Sequence, residues 1–154
     1  LKGYFMNGNS PTYTSMPHAL IYAGSLPFMA GAMFMLAGIQ TLPLLGDVVN
    51  SVATYGLVIS VFLTGIHWGQ ELSLGRAVPG LFIASNIIAL TLWIGWLVLP
   101  VVYFLPFLTI PLLVILAIDH NLFKLGVVDN LYFRSRIIIT GIVIPCLFVT
   151  AALI

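Results

Sequence analysis

The chain has 154 residues, of which 61% are hydrophobic and 6% charged, with a net charge of +1. Against the roughly 25% charged residues of water-soluble domains, that balance excludes an aqueous globular protein, because a chain this small cannot hide so much apolar surface inside itself. Five Lys and Arg with no basic run exclude nucleic acid as a partner, and the lone Cys146 excludes an intrachain disulfide or an all-cysteine metal site.

The pattern predicts an all-α membrane protein, a bundle of five transmembrane helices over residues 18–154 behind an extramembrane tail, 1–17. The tail mixes aromatic and polar residues with Gly and Pro and shows no helical period. A start at Leu1 instead of Met fits a processed chain. The first span, about 18–38, holds Gly24, Gly31 and Gly38 at seven-residue intervals, a groove for a neighbouring helix. Pro27 removes a backbone bond and should kink it, either as a packing feature or as a break that lines a substrate path.

After a short turn, Asp47 has the chemistry of an N-cap for the second span, about 48–68. Gly56, Ser60 and Thr64 recur every four residues there, the close-packing ridge of a lipid-embedded helix. Residues 71–78 read as a polar loop, and Pro79 opens the third span, about 79–99. Asn86 inside it needs a partner, expected on a neighbouring helix. Residues 100–103 allow only a tight hairpin, so the third and fourth spans are antiparallel neighbours. The fourth covers about 104–118, with a kink expected at Pro106 or Pro111, and Asp119-His120-Asn121 marks its exit. Asp129 or Asn130 caps the fifth span, about 132–154, which Pro145 should bend.

Five crossings collect Lys2, Arg76, Lys124, Arg134 and Arg136 on one side and no Lys or Arg on the other. The positive-inside rule then places the N-terminus on the cytoplasmic or matrix side. His18, His67 and His120 fall on that same side, with Glu71 and Asp119 beside them. His67 and Glu71, four apart, share one helix face. This layer is the candidate polar site, and three uses of it stay open: a metal or haem site, proton or quinone handling, and hydrogen bonding that fixes helix ends. No metal ligand set is assigned, because no two histidines stand at helical ligand spacing. Arg76, Arg134 and Arg136 with the two carboxylates read as a charge network at the membrane surface.

Gly24-Ser25-Leu26-Pro27-Phe28, Tyr55 ahead of Gly65-Ile66-His67-Trp68-Gly69, Asp119, and Tyr132-Phe133-Arg134-Ser135-Arg136 together give the chain a resemblance. It resembles the transmembrane protein 69 family, a domain of unknown function in bacteria and mitochondria, over most of residues 18–145. The resemblance implies a location and no activity. In place of that family's Pro-Trp-Tyr-like stretch before the arginines, this chain has Asp129-Asn130-Leu131-Tyr132.

No nucleophile constellation or phosphate loop stands out, and the balance is toward no catalytic activity of its own. The expected role is an accessory or structural subunit of a larger inner-membrane complex, of the respiratory chain in the mitochondrial inner membrane or its bacterial counterpart. Its partners would be other integral-membrane subunits and phospholipid, with bound lipid expected and quinone or metal as alternatives. The alternative roles are a small transporter or channel, for which no internal repeat or buried charge is visible, a quinone- or metal-linked protein, and an assembly factor.

Overall fold

The computed structural model describes residues 16–73 and 80–154. Lys2, Arg76 and Pro79 lie outside them, as does the tail up to residue 15. The described chain is mostly helical: α1 (Met16–Ala23), α2 (Leu26–Leu36), α3 (Val48–Ser73), α4 (Leu81–Val98), α5 (Val101–Phe107), α6 (Thr109–Lys124) and α7 (Asn130–Ala152). A two-residue antiparallel ladder joins β1 (Thr41–Leu42) to β2 (Gly46–Asp47) in the α2–α3 turn, pairing Thr41 with Asp47 and Leu42 with Gly46.

Among the described residues four segments are long and apolar enough to cross a membrane: Val48–Leu72, Leu81–Val98, Val101–Lys124 and Asn130–Ala152. The expected first span is different. The apolar stretch Leu20–Leu36 is shorter than these and is interrupted, because α1 ends at Ala23 and α2 begins only at Leu26. The cause lies in Gly24-Ser25 and in Pro27 at the start of α2, whose ring has no N–H for a continuous helix. The break is tied down on both sides. The Ser25 hydroxyl donates to the Tyr22 carbonyl (2.8 Å), and the Tyr55 hydroxyl of α3 donates to the Gly24 carbonyl (3.0 Å). Buried backbone without such partners would be costly in an apolar bundle.

Two further boundaries move. The second span runs on to Ser73, so Glu71 belongs to α3 and not to a loop. The fourth starts at Val101, directly after Pro100, and reaches Lys124, which puts Asp119 well inside α6 instead of at its exit. Pro106 and Pro111 flank Leu108, where this segment divides into α5 and α6; each removes one N–H from the ladder. The caps are as expected: Asp47 accepts from the Asn50 N–H (2.7 Å) and Asp129 from the Tyr132 N–H (2.6 Å).

Helix α3 packs on α4 and α2, and α7 packs on α2, α5 and α6. The glycines separate by what fills them. A Cβ on Gly31 would collide with Val52, and one on Gly56 would lie 2.6 Å from Leu108, so both serve close packing. Gly38 does not; at φ +74° with open space around it, it ends α2 in the left-handed region. The apolar core includes Phe28, Val52, Ala53, Phe104, Leu105 and Leu108 and continues through Ile115, Ile139 and Val143 towards the other end. Trp96 meets Phe104 edge-on, ring centres 5.2 Å apart, across the α4–α5 hairpin. Asn86 is exposed and donates to the Phe82 carbonyl of its own helix (2.8 Å), and among the described residues no neighbouring helix supplies its partner.

Candidate functional site

The ridge Gly56-Ser60-Thr64 of α3 continues along the same face to His67 and Glu71. On α6 the inward stripe is Leu112, Ile115, Asp119 and Leu122, and on α7 it is Arg136, Thr140, Val143 and Leu147. Each stripe advances three or four residues at a time, so three ionisable side chains take positions that would otherwise hold aliphatic core residues. Where the three stripes meet, His67, Asp119 and Arg136 make one contact.

Asp119 is its hub. Its Oδ1 lies 2.9 Å from His67 Nε2, and its Oδ2 accepts from Arg136 Nε at 2.9 Å. Asp119 is fully buried, and His67 and Arg136 are 1% and 5% exposed. An ionised carboxylate only accepts, so Nε2 carries the imidazole hydrogen in this contact. The other ring nitrogen, Nδ1, is buried with no hydrogen-bond partner among the described residues, as are Arg136 Nη2, Glu71 Oε2 and Ser60 Oγ. Taking isolated charges out of water costs many kcal/mol, so the Asp119–Arg136 pair holds only because each neutralises the other and both carboxylate oxygens are engaged. Tyr132, one turn before Arg136, lies within electrostatic reach of both charges.

The expected layer of histidines and carboxylates is thus divided. His67 and Asp119 come together, and Glu71 is buried one turn beyond His67. His120 points elsewhere: it is exposed, with its ring 5.3 Å from that of Phe133. His18 falls in α1, and its side chain lies outside what is described. Among the described residues no three His, Cys, Asp or Glu side chains converge as metal ligands.

The charge network also changes. Arg134 is exposed, whereas Arg136 is buried in the bundle and belongs to no surface network. A buried charge, which the sequence did not reveal, is therefore present.

A family model described as "protein of unknown function (DUF3429)" matches residues 13–152. The chain belongs to this family. The match takes in α3, α6 and all of α7, so the His67–Asp119–Arg136 contact lies wholly within the DUF3429 domain. No curated protein and no solved structure matches the chain.

Proposed function

We propose that this DUF3429 protein is an accessory, structural integral-membrane subunit that docks on the helices of a larger complex. The observation that carries this reading is the outer face of α3. Gly31 and Gly56 are filled from within the chain, but nothing among the described residues lies within 4 Å of where a Cβ would stand on Gly65 or Gly69. That Gly-x-x-x-Gly pair leaves open space beside the helix, and small residues at this spacing are the form by which lipid-embedded helices associate. The likeness to the transmembrane protein 69 family supports the finer reading: the mitochondrial inner membrane or its bacterial counterpart, with a respiratory complex as host. The five cations support a fifth crossing through Leu20–Leu36 and an N-terminus on the matrix or cytoplasmic side.

Gentle detergent extraction followed by identification of co-purifying chains tests the proposal. Stable membrane partners are expected with the native chain and are lost from a Gly65→Leu/Gly69→Leu variant that still folds. A native chain that purifies as a lone, stable monomer overturns it.

One observation favours a second reading, a small transporter or channel. Ionisable residues buried within membrane helices commonly mark ion or proton paths, and Asp119 with Arg136 is such a pair. Proteoliposomes that show proton or ion flux, abolished by Asp119→Asn, would establish it; the absence of flux removes it.

A further inference from the structure

A cavity of about 450 Å3 lies where α1, α2, α3, α6 and α7 converge, beside the ionic contact. Its volume falls within the roughly 300–1,000 Å3 of small-molecule sites. Ile59, Leu63 and Ile66 of α3 line one wall and Ile139 and Val143 of α7 the other. The exposed Leu20 and Phe62 stand on its rim, so its mouth opens on the outer surface of the bundle. Three polar side chains interrupt the apolar lining: Tyr132, Arg136 and Thr140, all on α7. Arg136 is only 5% exposed, and its Nη2 has no hydrogen-bond partner among the described residues.

We propose that this cavity binds a membrane-soluble quinone, a neutral ring with carbonyl acceptors on an apolar tail. Three features select that class. The walls demand an apolar body, and the mouth lets a tail run out into lipid. The polar end offers guanidinium and phenol donors, which a plain hydrocarbon would leave unanswered. The charge balance then separates a carbonyl from an anion. Arg136 is already neutralised by Asp119, and Glu71 lies one turn beyond His67, so a carboxylate or phosphate head would add an uncompensated negative charge beside them. A carbonyl takes the hydrogen bonds without that cost. Neither Gly65 nor Gly69 lines the cavity, so the site does not rest on the docking reading.

The test uses the full chain in lipid nanodiscs with a photoreactive azido-benzoquinone carrying a decyl chain, its sites of attachment mapped by mass spectrometry. Saturable labelling within 59–66 and 132–143 is expected, competed by unlabelled decyl-benzoquinone and not by oleate. Ile59→Trp, which fills the cavity, removes the labelling, and Val114→Trp on the exposed face of α6 leaves it unchanged. Tyr132→Phe keeps the ring and removes one donor, and weakens competition by about three- to tenfold, as expected for one lost hydrogen bond. It decides the matter should Ile59→Trp fail to fold. Labelling spread without saturation over lipid-facing residues, competition by oleate instead of quinone, or labelling indifferent to both Ile59→Trp and Tyr132→Phe overturns the proposal.

Discussion

The two ends of the bundle are held together by different physics. At one end Phe28, Val52, Gly56, Phe104 and Leu108 interlock by shape, with small residues letting backbones approach and aromatic rings filling what remains. At the other, His67, Asp119 and Arg136 hold α3, α6 and α7 by directed, charged contacts in a region with unpartnered polar atoms. The first end tolerates changes that conserve volume; the second tolerates none that leave a charge alone. Replacing such a pair with aliphatic residues of similar volume is often neutral or stabilising, so stability alone does not account for the charges at this end.

The contrast can be broken from the ionic side first, where the largest effect lies. Asp119→Ala leaves Arg136 buried without its counter-charge and is expected to cost about 3–5 kcal/mol, read as a loss of thermal stability in detergent. A double Asp119→Leu/Arg136→Met variant should recover most of that loss, because no orphaned charge remains. If the double variant is as unstable as the single one, the contact is shape packing after all and the contrast fails.

From the apolar side, Gly31→Val forces a side chain into Val52 and should cost about 1–3 kcal/mol by overpacking. The same substitution at Gly65, where space is open, should leave the isolated chain's stability close to native, apart from a small helix-propensity change. Tyr55→Phe removes the single hydroxyl that closes the Gly24 carbonyl and should cost about 1 kcal/mol, with faster hydrogen exchange at residues 24–29. The smallest effect belongs to the α7 cap, where Asp129→Ala should cost about 1 kcal/mol or less, detectable as fraying of the first turn.

Much of this architecture is legible in the sequence. Hydropathy alone located four long helices, both caps follow from Asp followed by an apolar run, and the Gly56-Ser60-Thr64 ridge points inward as its spacing requires. The ionic contact was not legible as a unit. His67 and Asp119 are 52 residues apart and Asp119 and Arg136 are 17 apart, so only the packing of three helices joins them. A local signal did exist: Asp119 continues the Leu112-Ile115 stripe in phase, and His67 continues the glycine ridge. The polar run Asp119-His120-Asn121 concealed it, because three consecutive polar residues read as a helix end when only composition is weighed. Gly38 misled for a related reason, since a seven-residue glycine interval does not distinguish a groove from a left-handed terminus.

Asp119 engages α7 through Oδ2 and α3 through Oδ1, and these helices stand on either side of it in chain order. In chain order the imidazole of α3 precedes the carboxylate of α6, and the neutralising guanidinium of α7 follows it. Truncation before residue 136 would therefore leave Asp119 without its counter-charge, so α7 is needed to neutralise what α6 buries.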